Sequence, residues 1–154
     1  MNKVTLTRRI LGISALVILF FPTISSLASE YGINQVIHFE VGSSFIQNVS
    51  KPLLLDVVNL LKNPVHKYWD KILIEGYSDG VENKDKSTNL SLERAEAVKN
   101  YLIQQGVDSS LLEVVGWGSQ RPIANDETEQ GRAKNRRVEF LLVTKSDLKN
   151  YVHP

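Results

Sequence analysis

With 154 residues, 18 basic against 17 acidic side chains and no cysteine, the chain excludes several classes at once. A nucleic-acid binder normally carries a clear basic excess, and none is present. The missing cysteines rule out disulfides, a thiol nucleophile and a lipidated cysteine anchor, so stability must come from the core alone.

Lys3, Arg8 and Arg9 precede a mostly apolar run over residues 10–21, then Pro22 and the small-residue stretch Ser25-Ser26-Leu27-Ala28-Ser29. This is the layout of a secretory signal peptide, with Ser26 and Ala28 at the small positions before a cut. The run is short for a bilayer span, which needs about 20 apolar residues. Two outcomes stay open: cleavage after Ala28, or an uncleaved signal segment that is then the only membrane contact. Either puts the remainder outside the cytoplasm. Residues 10–21 contain no Asp or Glu, which argues against a proton-conducting span. The chain beyond residue 28 carries 15 basic and 17 acidic residues and has the size of one ordinary domain. It divides into a short linker at 29–35, a domain over 36–144 and a polar tail, expected to be loose, at 145–154.

Ile37, Phe39 and Val41 alternate with His38 and Glu40, the pattern of a half-buried strand broken by Gly42-Ser43-Ser44. Ser50 is a candidate N-cap for a helix that accepts Pro52 in its first turn, with Leu54, Val57, Val58 and Leu61 on one stripe, ending at Asn63-Pro64. The run 71–75 reads as a buried strand closed by Gly76. A charged loop with Glu82, Lys84, Asp85 and Lys86 is expected over 79–88. Ser91 is the candidate cap of a second helix, with Ala95, Val98 and Leu102 inward and Gly106 at its end. A third strand is expected over 111–115, an irregular segment around Gly116-Trp117-Gly118 and Pro122, a turn at Gly131-Arg132-Ala133-Lys134, and a last strand over 138–143 with Val138, Phe140 and Leu142 on one face. Helix-linked strands and a final strand that arrives without a full helix imply a β-α-β-α-β-β order. The fold class is α/β (α+β): a two-layer sandwich whose mixed sheet has both helices on one face.

Chemistry-bearing patterns of enzymes are missing. There is no Gly-x-Ser-x-Gly elbow, P-loop, dinucleotide fingerprint or His-Glu-x-x-His, and His38, His66 and His153 lack metal-ligand spacing. The chain is read as a non-enzyme with neither cofactor nor metal. Trp117, between two glycines, reads as a packing residue rather than a sugar platform.

Four ordered pieces carry a family resemblance: Phe39 followed by Gly42-Ser43; Ile74-Glu75-Gly76-Tyr77-Ser78-Asp79; Leu90-Ser91-Leu92-Glu93-Arg94-Ala95; and Gly116-Trp117-Gly118 leading to Asn135-Arg136-Arg137-Val138-Glu139. Together they resemble the OmpA-like C-terminal domain, the peptidoglycan-associating module of Gram-negative envelope proteins. The resemblance implies a periplasmic, cell-wall or outer-membrane associated protein that binds the diaminopimelate of the peptidoglycan stem peptide. Asp79 and Arg94 stand at the family's ligand-holding positions. Arg94 offers a carboxylate two parallel hydrogen bonds and Asp79 accepts from an ammonium, so the pair suits a zwitterion. A helix start at Ser91 would add N–H donors.

Ser87, Asn89 and Leu90 are further candidates before that helix, and Asn135 and Arg137 from the last strand. Arg136 and Arg137 alternate across the strand, so only one can face the site, and Arg137 is the expected one. Asn135 has a second reading as a turn stabiliser, as does Asp79. Tyr77-Ser78 replaces the family's His-Thr, and Ser87 stands where it commonly has Asn. Those departures keep an alternative open: an assembly protein of a secretion or motility complex that contacts another envelope protein and has weakened or lost wall binding.

Overall fold

The computed structural model describes residues 33, 35–63, 69–82 and 84–151, with the backbone alone at 84–86, 146 and 150. The signal segment, Pro64, His66 and His153 lie outside these residues. In chain order the elements are β1 (Ile37–His38), α1 (Lys51–Lys62), β2 (Lys71–Gly76), α2 (Lys84–Gln104), β3 (Leu112–Gly116), α3 (Glu129–Asn135), β4 (Arg137–Val143) and α4 (Lys145–Asn150).

The strands form a four-stranded sheet in the order β1-β4-β2-β3. β2 and β3 run parallel, and β4 is antiparallel to both β2 and β1. Strand periodicity sends Ile72 and Ile74, with Phe140 and Leu142 opposite them, to one face. There they meet Leu54, Val57, Val58 and Leu61 of α1 and Ala95, Val98 and Leu102 of α2 in a single core. The expected mixed sheet with both helices on one face is what forms.

Two helix ends show local chemistry at work. α2 closes in a Schellman motif: Gly106, at φ +85°, donates to the Ile103 carbonyl at 2.8 Å, and the Val107 N–H reaches Leu102 at 3.0 Å. Ser50 precedes α1 as expected, but its side chain makes no cap bond, because it is already helical (φ −83°, ψ −17°) as the last residue of a 3-10 turn.

The differences from the sequence pattern fall where packing overrides it. β1 stops after His38, the Phe39 N–H makes one more bond to the Arg136 carbonyl, and Val41 is exposed rather than on an inward face. Ile33, within the expected linker, is buried in the core. The Gly131 segment is a short helix, capped by Thr128, whose hydroxyl accepts from the Gly131 N–H at 3.1 Å. The polar tail is not loose through residue 151. Thr144 and Asp147 form a reciprocal capping box that starts α4, and Tyr151 then packs edge-on to Trp117 with centroids 6.1 Å apart.

α2 lies almost in contact with the ends of β2 and β3. A β-carbon on Gly76 would sit 1.8 Å from the Ser91 carbonyl oxygen, and one on its register partner Gly116 would sit 2.9 Å from the Leu92 nitrogen. These glycines let the helix cross the strand ends, which brings Arg94 beneath the loop that follows β2.

Candidate functional site

The β2–α2 loop turns on Asp79. Its Oδ1 accepts from the N–H groups of Val81 (3.0 Å) and Glu82 (2.7 Å), a side-chain-closed turn. Its Oδ2 accepts from Arg136 Nη1 at 2.8 Å, and both side chains are buried. Burial alone would raise the Asp79 pKa. The Arg136 guanidinium and the two N–H groups outweigh it and hold the carboxyl below its ordinary range. Arg136 is also fixed by the Phe39 carbonyl and by Glu129.

Arg94 is completely buried, about three turns into α2, and uses all five of its N–H donors. Nε binds the Ser43 carbonyl at 2.9 Å, Nη1 the Tyr77 carbonyl at 3.0 Å and Nη2 the Glu40 carbonyl at 3.1 Å. The remaining two grip the Glu82 carboxylate as a fork, at 2.9 and 2.7 Å. Phe39 lies against the guanidinium at 5.5 Å. Beside this pair opens a cavity of about 450 Å³ lined by Val41, Gly42, Glu82, Ser87, Asn89, Leu90 and Glu93.

A sequence model of the OmpA family matches residues 38–136, well over half of the chain. The chain belongs to the OmpA family. It is 32% identical over 117 residues to the peptidoglycan-associated lipoprotein of Pseudomonas aeruginosa, covering 75% of this chain and 67% of that protein. It is 31% identical over 107 residues to the sodium-type flagellar protein MotY of Vibrio parahaemolyticus, covering 70% of this chain and only 36% of MotY. Among solved structures it resembles the peptidoglycan-associated lipoprotein of Burkholderia pseudomallei, with a TM-score of 0.64 at 30% identity over 70% of this chain and 88% of that one.

Within this OmpA-family fold the expected residues divide. Ser87, Asn89 and Leu90 meet at the cavity, with Asp79 and Arg94 beneath the loop that borders it. Asn135 is not open to a ligand. It is fully buried, its Oδ1 accepts from the N–H groups of Ile123 and Ala124, and its Nδ2 donates to the Ala124 carbonyl and Asp126, so its side chain ties down the segment that precedes α3. Asp126 in turn accepts from the Gly80 N–H, which makes Asn135 a support for the Asp79 turn.

The choice between the two arginines is reversed. Arg136 joins Asp79, while Arg137 points to the opposite sheet face, where it stacks 3.8 Å over the Tyr77 ring and bonds Glu139 at 2.6 Å. Val138 is the residue that faces the core, so Arg136 shares its side and Arg137 does not. That parity was available in the sequence. Ser91 is not a cap either: α2 begins at Lys84, and the Ser91 hydroxyl donates to the Thr88 carbonyl and accepts from the Gly118 N–H. The N–H donors at the helix start therefore belong to the turn at Lys84, not to the residues around Ser91.

Behind the sheet, buried Glu75 accepts from Trp117 Nε1 at 2.8 Å, from the Tyr77 hydroxyl at 3.1 Å and from the Tyr151 hydroxyl. Burial, then the Glu75 carboxylate, pushes both tyrosine pKa values well above normal, so both hydroxyls stay protonated donors. Trp117 is thus a packing residue, as expected, with Arg121 stacked 3.4 Å over it. Among the described residues no group of acids and histidines could hold a metal ion.

Proposed function

We propose that this chain is a non-catalytic peptidoglycan-binding module of the Gram-negative periplasm, over residues 36–144, that recognises the diaminopimelate of the stem peptide and ties an envelope structure to the wall. The observation that carries this reading is the buried Arg94 fork, under the turn that Asp79 closes, beside a cavity lined by Ser87, Asn89 and Leu90. Arg94 has one edge, Nη1 and Nη2, aimed away from its backbone partners and shaped for a carboxylate. Asp79, buried and held by Arg136, accepts from the Val81 and Glu82 N–H groups and so sets the turn that brings Glu82 onto Arg94. Likeness to a lipoprotein named for its association with peptidoglycan supports the same reading. A single such site binds modestly, and many sites along the polymer supply the attachment.

The test is co-sedimentation with purified diaminopimelate-type sacculi of wild type, Asp79→Asn and Arg94→Lys, each checked for folding by circular dichroism. Both substitutions keep the approximate shape and should abolish sedimentation. Sedimentation by folded variants at the wild-type level would refute the assignment.

A second reading rests on the Glu82 carboxylate already held by Arg94 and on the likeness to a flagellar protein: an assembly module of an envelope complex with weakened wall binding. Wild-type protein that ignores sacculi would favour it.

A further inference from the structure

We propose that Glu82 is a built-in occupant of the ligand's carboxylate seat, so that the empty site is closed and binding is the exchange of one carboxylate for another. This rests on Arg94 being the ligand-gripping residue and goes beyond it, because it makes the free protein self-blocked.

The Glu82 side chain is only 6% exposed although it stands in a loop. Its Oε1 accepts from the Gly42 N–H at 2.8 Å and from Arg94 Nη2 at 2.7 Å. Its Oε2 accepts from Arg94 Nη1 at 2.9 Å and from the Asp79 N–H at 3.3 Å. Two backbone N–H groups from separate loops and a guanidinium fork thus converge on one carboxylate. None of these donors depends on the carboxylate belonging to this chain. The other three Arg94 donors are committed to backbone carbonyls, so the fork edge is the one place where an incoming carboxylate can be gripped. Glu82 holds it, and two carboxylates cannot share it.

Exchange needs little rearrangement. The Glu82 backbone is pinned by its own N–H to Asp79 Oδ1 at 2.7 Å, so its side chain can leave while the turn stays. Glu82 also lines the cavity with Asn89 and Leu90, which gives the departing side chain and the arriving ligand a common opening. Apparent affinity then equals intrinsic affinity multiplied by the fraction of molecules in which Glu82 has swung out.

The experiment compares full-length wild type, Glu82→Gln and Glu82→Ala in two assays. In sacculi co-sedimentation both variants should bind roughly tenfold or more tightly than wild type, since the self-blocked population is removed. In thermal unfolding at matched ionic strength, Glu82→Ala should be stabilised by acetate relative to chloride, because acetate refills the seat. Wild type and the Glu82→Ala/Arg94→Lys double variant should not respond. Glu82→Gln keeps the shape of the side chain and guards against simple loss of fold. Acetate-insensitive Glu82→Ala, or variants that bind sacculi no better than a binding-competent wild type, would overturn the proposal. If acetate stabilises Glu82→Ala while no form of the protein binds sacculi, the seat stands and the wall-binding reading falls.

Discussion

Replacing Arg136 by methionine isolates the electrostatics beneath the site. Methionine roughly preserves the length of the side chain and removes its charge, so Asp79, 1% exposed, loses its buried counter-ion. Breaking one partner of a buried pair typically costs about 3–5 kcal/mol, and the N–H groups of Val81 and Glu82 that still serve Asp79 put this case near ~3 kcal/mol. The lost bond to the exposed Glu129 adds little. For a domain of this size ~3 kcal/mol lowers Tm by roughly 10–15 °C.

The pH dependence supplies the sharper signature. In wild type the Asp79 carboxyl has a folded-state pKa below its ordinary 3.8, so its contribution is complete above that value and is lost as pH falls through the lower folded value. In Arg136→Met burial remains while the guanidinium is gone, so the pKa rises and the protonated form is favoured. The stability gap between the two proteins is therefore widest near neutrality and closes as pH drops below 3.8. Urea unfolding followed by tryptophan fluorescence at pH 7 and pH 3 measures both gaps. A gap below ~1 kcal/mol at pH 7, or one that does not narrow in acid, refutes the account of Asp79 as a buried carboxylate held by Arg136.

Two further outcomes test the scaffold. Gly76→Ala should cost at least ~3 kcal/mol in urea unfolding, since the new β-carbon would lie 1.8 Å from a helix carbonyl; a cost under ~1 kcal/mol would mean that α2 can shift off the strand ends freely. Thr144→Ala removes the capping box of α4 and should cost ~1 kcal/mol, together with a changed near-ultraviolet signal from Trp117 as Tyr151 loosens; an unaltered spectrum would show that Tyr151 docks independently of α4.

Periodicity made most of the fold legible. Leu54, Val57, Val58 and Leu61 are spaced as one helix face and all four are buried, as are the alternating Val138, Phe140 and Leu142. The first turns of α2 were hidden because Lys84-Asp85-Lys86-Ser87 carries no apolar stripe, and the lack of a stripe does not mark a non-helical backbone. α4 is too short and polar to show a stripe and is marked only by its cap, since Thr144-Lys145-Ser146-Asp147 is a Thr-x-x-Asp start signal. The close approach at Gly76 and Gly116 could not be seen, because nothing local reveals which helix will pass overhead.

Asp79, Arg94, Ser87, Asn89 and Leu90 stand out in the sequence, whereas Glu82 reads only as a loop charge and Arg136 is passed over for Arg137. The family resemblance implies Asp79 and Arg94 as partners across an empty seat, whereas two arginines and two acids interlock: Asp79 with Arg136, Glu82 with Arg94. Each of these two buried cations already has a buried anion, and this neutrality restricts what can enter. A simple anion that displaced Glu82 would satisfy Arg94 but leave Glu82 as a second negative charge beside Glu93 at the cavity. A ligand that brings its own ammonium within reach of the displaced carboxylate restores the balance. Self-blocking by Glu82 therefore acts as a selectivity filter: a plain carboxylate trades the Glu82–Arg94 pair for its own and leaves two acids side by side, whereas a zwitterion supplies the displaced acid with a new partner.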